Sequence, residues 1–131
     1  FPSLSLRTNR GRAALYVKTK YTIMESTQRI NTVFRPAEAV TYNPNRVIFD
    51  QTMRAAYGGV NILALKAGQN LVKHTAPGAV TIYMLEGEAR FIIEGEPKTL
   101  KTGDAVVMEA GTPHSVHAVA DSKIMLVKID N

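Results

Sequence analysis

The sequence predicts an all-β protein, a sandwich or a barrel, on two observations. Short runs rich in Val, Ile, Leu and aromatic residues recur from residue 60 onward, a composition typical of strands with one buried face. Turn-forming pairs such as Pro77-Gly78 and Thr102-Gly103 separate these runs, so the strands follow one another at short intervals. Because 131 residues suffice for one buried core but not for two, we expect one folded domain.

The first part of that domain is predicted to be irregular, with two short segments that can be helical. They are residues 36–39 (PAEA) and 51–56 (QTMRAA), each long enough for a turn or two. From residue 60 onward, each apolar run between two turn signals predicts one strand. The predicted strands cover residues 60–66, 80–85, 89–94, 98–101, 105–108, 115–119 and 123–129.

The positive charge of the chain is concentrated at its start. The net charge is +5, yet the first 23 residues contain no acidic side chain, whereas basic and acidic residues balance in the remainder. We therefore divide the chain into a basic N-terminal arm, residues 1–23, and a single domain, residues 24–131. The basic residues of the arm are Arg7, Arg10, Arg12, Lys18 and Lys20.

Several interpretations of this arm remain open. A basic, acid-free leader with Ser and Thr is compatible with a transit peptide, with a nucleic-acid-binding arm, or with sequence upstream of a start at Met24. It is equally compatible with a solvated arm, or one docked on a partner, that has no chemical role. Since the arm lacks interleaved aromatic residues and a recognisable motif, we predict no nucleic-acid partner.

Two absences narrow the classes of function further. The chain has no cysteine, which excludes disulfides, thiolate metal sites and cysteine nucleophiles. Its longest uncharged apolar run, VTIYML at residues 80–85, is far shorter than a membrane span. We therefore predict a soluble protein without a membrane partner. A cytoplasmic location is expected because no secretory apolar segment is present, although the acid-free leader leaves an organelle import signal open.

Two glycine-bounded segments, each with one histidine, follow one another along the domain. The first runs from Gly68 to Gly87 with the pattern G-x5-H-x-A-x3-V-x6-G, and the second from Gly103 to Ala118 with G-x5-E-x-G-x2-H-x3-A. They resemble the two cupin motifs, G-x5-H-x-H-x3,4-E-x6-G and G-x5-P-x-G-x2-H-x3-N. The resemblance is to small single-domain cupins of the RmlC-like superfamily and covers roughly residues 58–129.

This resemblance implies a double-stranded β-helix, the jelly-roll barrel of the cupins, preceded by a short irregular or helical region. It also implies a homodimer, since members of the family often pair through an edge sheet with the N-terminal strand crossing over. The recurring glycines have a physical reason, because a hairpin turn with positive φ favours a residue without a Cβ. They specify the fold rather than the function.

The chemistry that the resemblance implies is incomplete. Cupins with an active metal usually present two histidines and a glutamate from the first motif and a third histidine from the second. Here His74 and His114 match, whereas Ala76 and Val80 stand at the other two positions. A catalytic zinc normally keeps three protein ligands, and a non-haem iron site uses two histidines with a carboxylate. We expect a degenerate metal site, with Zn, Fe, Mn or Ni held loosely between His74 and His114 or not held tightly at all.

Strand alternation in the family register predicts what surrounds the histidines. If His74 points into the barrel, Ala76 does as well, and apolar residues of the next strand line the inner face. Thr81, Tyr83 and Leu85 then pack against a second sheet or a partner subunit, and His117 faces away from His114. The predicted interior is apolar. The candidate ligand-binding residues are His74, Ala76, Val80, Ile82, Met84 and His114.

Three functions remain compatible with the sequence. In the first, the apolar barrel binds a small organic ligand, with His74 and His114 supplying hydrogen bonds. In the second, the protein is a metal-dependent dioxygenase or isomerase, in which water or an unusual donor completes the coordination of the two histidines. In the third, the chain is a structural dimer without a ligand. Ala76 and Val80 favour the first function over the second and do not separate the first from the third.

Overall fold

The protein is described by a computed structural model over residues 22–25 and 29–130, and its regular secondary structure consists almost entirely of strands. Apart from Thr22 and Ile23, the basic arm lies outside these residues, as does Asn131. A single 3-10 turn, Pro36–Glu38, precedes the second strand. The strands are β1 (Thr22–Glu25), β2 (Ile48–Ala55), β3 (Gly58–Leu65), β4 (Asn70–His74), β5 (Ala79–Glu86), β6 (Glu88–Ile93), β7 (Glu96–Lys101), β8 (Ala105–Met108), β9 (His114–Ala118) and β10 (Ser122–Ile129).

Two sheets form the barrel. The larger has six strands in the order β1-β2-β3-β10-β5-β8, and the smaller has four in the order β4-β9-β6-β7. All pairs are antiparallel except β1 with β2. Strand β10 occupies the middle of the larger sheet, between β3 and β5. This is the double-stranded β-helix arrangement, which confirms the predicted fold class.

The seven predicted strands are all present, six of them with shifted boundaries, whereas β1, β2 and β4 were not among the predicted strands. One of the two predicted helical segments is confirmed. Residues 36–39 contain the 3-10 turn. The helical segment predicted at residues 51–56 is wrong, because residues 51–55 belong to β2 and Ala56 lies in the turn that follows. Gln51 pairs with Asn61 and Met53 pairs with Val60 of β3. The helix-forming composition of this segment is a weak local preference that sheet pairing overrides.

The space between the sheets is filled by an apolar core. Val80, Ile82 and Met84 of β5 are buried, which confirms the inward register predicted for this strand. From the opposite sheet, Phe91 of β6 contributes the largest fully buried side chain. Burial of such side chains from water is the main term that holds the two sheets together.

A second apolar cluster lies on the outer face of the larger sheet. Val40, Ile62 and Ala64 are buried there, and Leu85 packs against them. Leu85 is therefore covered by the segment of its own chain that precedes β2. Tyr83, predicted to share its environment, remains exposed on the same face.

Polar contacts fix this preceding segment to the sheet. Arg29 pairs with the buried carboxylate of Asp50 at 2.6 Å, and the hydroxyl of Tyr42 donates to Glu86 at 2.6 Å. The ammonium of Lys123 donates to the carbonyl of Ala37, also at 2.6 Å. These contacts hold the segment that precedes β2 against one half of the outer face of the larger sheet. The other half of that face is not covered by this segment.

Gly87 forms the one-residue link between β5 and β6. Its φ is +97°, and a Cβ at this position would lie 2.2 Å from the carbonyl oxygen of Asp121. Glycine is thus required twice, by the backbone conformation and by the close approach of β10. The structure confirms that this motif glycine specifies the fold.

Candidate functional site

The two motif histidines lie side by side. His74 ends β4 and His114 begins β9, and the register pairs them directly, with a bulge in β4 between Leu71 and His74. Their ring centroids are 4.2 Å apart at an interplanar angle of 60°. The bulge shifts the register of β4, so that the imidazoles approach each other at the edge of the smaller sheet.

The two imidazoles differ in their surroundings. His114 is buried, with 4% of its surface exposed, whereas His74 is exposed. Burial lowers the pKa of His114 below its ordinary value, opposed by a hydrogen bond to Thr112 and assisted by repulsion from His74. His114 is therefore held as the neutral base.

Backbone carbonyls set the tautomer of both rings. Nδ1 of His74 lies 2.7 Å from the carbonyl oxygen of Val72, and Nδ1 of His114 lies 3.0 Å from that of Thr112. Since a carbonyl only accepts, each Nδ1 carries the hydrogen. In the neutral form of either ring the lone pair is then at Nε2, where it can accept a hydrogen bond or bind a metal.

The residues present do not complete a metal site. Ala76 and Val80 have no donor atom, and His117 faces away from His114 and bonds with Asn70. Within the part of the chain that the structure describes, no group of three histidine or carboxylate side chains is placed to hold an ion. Two imidazoles do not fit the ligand set of a catalytic zinc or iron.

A cavity of about 480 Å³ lies beside His74, between the two sheets. His74, Leu71 and Val72 of β4 form one side of it. Strands β2, β3 and β10 of the larger sheet form the other side. The residues that line this inter-sheet cavity are Phe49, Gln51, Asn61, Leu71, Val72, His74 and Lys128.

The inter-sheet cavity is less apolar than the sequence predicted. Gln51, Asn61 and Lys128 line it, and Oε1 of Gln51 is buried without a hydrogen-bond partner. These three residues were missed at the level of sequence. Gln51 was assigned to a helix, and alternation along β3 and β10 signals an inward direction only once the pairing of the strands is known.

The structure brings some of the predicted site residues together and separates others. His74 and His114 are in contact, and only His74 lines the cavity. Ala76 is partly buried against the core. Val80, Ile82 and Met84 are core residues rather than part of the cavity wall, and their role in ligand binding stays a prediction.

A match to a family model completes the assignment of class. The model described as "Cupin domain" matches residues 61–130, which span both histidine motifs and strands β4 to β10. The chain therefore belongs to the cupin domain family. Its paired histidines occupy the metal-ligand positions that the motif resemblance implied.

Solved structures show the same fold. A conserved protein of unknown function from Streptococcus pyogenes is 25% identical, with a TM-score of 0.72 over 76% of this chain and 88% of that chain. An RmlC-like cupin from Desulfovibrio desulfuricans is 29% identical, with a TM-score of 0.64 over 70% and 90% of the two chains. No curated protein matches the sequence.

A dioxygenase is also among the structural neighbours. Salicylate 1,2-dioxygenase from Pseudoaminobacter salicylatoxidans is 20% identical, with a TM-score of 0.54 over 56% of this chain and 20% of that chain. At this identity the likeness shows the fold alone.

No helix among residues 22–25 and 29–130 is long and apolar enough to cross a membrane.

Proposed function

We propose that this cupin binds a small organic molecule in the inter-sheet cavity beside His74. The observation that carries the proposal is the cavity itself, whose volume of about 480 Å³ falls in the range of small-molecule sites. Phe49, Leu71 and Val72 supply apolar walls, and the Nε2 of His74 supplies a hydrogen-bond acceptor at the edge. A few polar groups on an apolar wall are what such sites use to orient a ligand.

Binding is favoured over metal-dependent catalysis because of the donor set. The alternative function, a dioxygenase or isomerase, needs a third protein ligand or a water to complete the coordination by His74 and His114. The described residues near the pair supply no carboxylate for that role. The same pair suffices for hydrogen bonding, in which each ring needs only its own Nε2.

The experiment is a binding screen with a variant that fills the cavity. Fragment-sized compounds, neutral and charged, are tested against the protein by ligand-observed NMR. The variant Val72→Trp is expected to abolish binding because the indole occupies the cavity, and Val119→Trp, at an exposed position outside it, is expected to leave binding unchanged. Both variants are first checked for folding by circular dichroism. Binding that survives Val72→Trp, or no binder in the screen, contradicts the proposal.

We also propose that the chain forms a homodimer through the uncovered half of the outer face of the larger sheet. Cross-strand pairs align Met53, Val60, Val127, Thr81 and Val107 in one row over five strands. The row carries no charge, and Val107 is 71% exposed. An uncharged face of this kind is buried best by a second copy of itself, since a two-fold axis places the same residues on both sides.

A further inference from the structure

The wall of the inter-sheet cavity that faces β4 carries three polar side chains on three neighbouring strands. Gln51 of β2 pairs directly with Asn61 of β3. Lys128 of β10 pairs with Gly59, two residues before Asn61. Because residues two apart on a strand share a face, the amides and the ammonium are aimed at the same space.

Lys128 gives this space a positive charge. Among the residues that line the cavity, it is the only one with a permanent charge, and none is acidic. Among the ion pairs of the described residues, none includes Lys128. The nearest acidic residue along the chain is Asp130, which follows β10, lines an adjoining pocket with Lys128, Gln51 and Asn61, and has its Oδ1 buried close to Gly78. Lys128 is half-buried as a residue, and a lysine beside apolar walls attracts an anion more strongly than a lysine in open water does.

Gln51 adds a second property that a ligand of the cavity should have, a hydrogen-bond donor. Its Oε1 is buried and accepts no hydrogen bond, and it lines the same cavity as Lys128. A buried acceptor without a partner is costly, and native proteins keep few of them. A hydroxyl or N–H group of a bound molecule would supply the missing donor.

We propose that the ligand of the cavity is a small hydroxycarboxylate, with its carboxylate against Lys128, its hydroxyl donating to Oε1 of Gln51, and its apolar part against Phe49 and Leu71. This inference rests on the proposed function. One lysine balances one negative charge, which favours a monocarboxylate over a phosphate ester. Asn61, between the two anchoring groups, offers a further amide to the same ligand.

The test compares matched probes on the unaltered protein. Two scaffolds are used, 3-hydroxybenzoate and 5-hydroxypentanoate, in which the hydroxyl is remote from the carboxylate. Each is measured by isothermal titration calorimetry beside its primary amide, which lacks the charge, and beside benzoate or pentanoate, which lack the donor. For at least one scaffold, we expect the hydroxycarboxylate to bind about ten-fold tighter than the amide and several-fold tighter than the deoxy acid, as charge-assisted and neutral hydrogen bonds predict.

Two variants assign these preferences to residues. Lys128→Met is expected to abolish the preference for acid over amide, and Gln51→Leu the preference for hydroxy acid over deoxy acid. Lys101→Met, which removes an equal charge from an exposed position on β7, is the control and is expected to change neither.

The outcomes separate this inference from the proposed function. If amides bind as tightly as acids, or if the acid preference survives Lys128→Met, the hydroxycarboxylate class is wrong while a ligand in the cavity stands. If no probe binds but neutral fragments do, the same conclusion holds. If neither probes nor fragments bind, both proposals fall.

Discussion

Gln51 and Gln69 show how much the surroundings of one residue type differ within this fold. Oε1 of Gln69 accepts from the backbone N–H of Lys66 at 2.7 Å, and its amide donates to the carbonyl of Asn43 at 2.8 Å. Oε1 of Gln51 is buried with no partner. The first glutamine ties two loops together, whereas the second leaves a polar atom unsatisfied next to a cavity.

Replacement by leucine should therefore act in opposite directions at these two positions. Gln51→Leu is expected to keep or raise the free energy of unfolding, by up to about 1 kcal/mol, because it removes an unsatisfied buried acceptor. Gln69→Leu is expected to lower it by about 2 kcal/mol, because it leaves two backbone groups unpaired. Urea unfolding followed by circular dichroism measures both changes, and a Gln51→Leu variant less stable than Gln69→Leu would show that Gln51 is structural.

His114 should make stability depend on pH. Burial lowers the pKa of its imidazole below 6.5, so the unfolded chain binds a proton at a higher pH than the folded protein does. The contribution of the neutral imidazole is complete above pH 6.5 and is lost as the pH falls from 6.5 toward the folded pKa. Acidification from about pH 7 should therefore lower the urea midpoint.

The variant His114→Gln removes the contribution of His114 to the pH dependence of stability, because glutamine does not titrate. Its urea midpoint is expected to change less with pH over the same range than that of the unaltered protein. His117→Gln, on the other face of β9, is the control and should retain the full dependence. If the urea midpoint depends on pH equally in all three proteins, the pH dependence of stability belongs to groups other than His114.

At the scale of elements, the sequence predicted the strands well where short apolar runs alternate with turn residues. The run at residues 80–85 and the turn at Gly87 are examples, since both depend on local chemistry alone. Strand β2 was missed because Gln51 to Ala55 has a helix-forming composition, and only its pairing with β3 makes it extended.

The candidate site was predictable from the sequence only in part. The histidine pair was implied by the resemblance of two segments to the cupin motifs, and the structure places the two rings in contact. The polar wall of the cavity required knowledge that β2, β3 and β10 are neighbours. Strand order is set by contacts between residues distant in the sequence, which local patterns do not contain.

The link at Gly87 gives a test of an individual element. Gly87→Ala is expected to destabilise the protein by roughly 3 kcal/mol, because alanine resists positive φ and its Cβ meets the carbonyl of Asp121. Gly95→Ala is the matched control, since Gly95 has a φ of +82° but no heavy atom within 4 Å of the added Cβ. Its cost should be about 1 kcal/mol. Thermal or urea unfolding compares the two, and equal losses would contradict a role for close packing at Gly87.

At the scale of the whole molecule, the larger sheet has two unlike halves on its outer face. One half is covered by the preceding segment through Val40 and its neighbours. The other half leaves Val107, Ile129 and Met53 in contact with solvent. Exposed apolar side chains aligned over several strands are more than scattered surface residues, and they support the proposed dimer interface.

The homodimer proposal makes a direct prediction for the mass in solution. Size-exclusion chromatography with light scattering should give twice the mass of the chain, and Val107→Lys or Ile129→Lys should reduce it to a monomer, because a charge buried in an apolar contact is costly. Val33→Lys, at a fully exposed position outside this face, should remain dimeric. A monomeric unaltered protein, or lysine variants that stay dimeric, would contradict the interface.

The central position of β10 has a consequence for how the molecule is made. It is the last strand in the described sequence, yet both β3 and β5 hydrogen-bond to it. During synthesis, therefore, one edge of β3 and one edge of β5 lack their hydrogen-bond partner β10 until residues 122–129 have left the ribosome. The larger sheet then closes in one late step, and a nascent chain stalled before Ser122 would be prone to aggregation and to capture by chaperones.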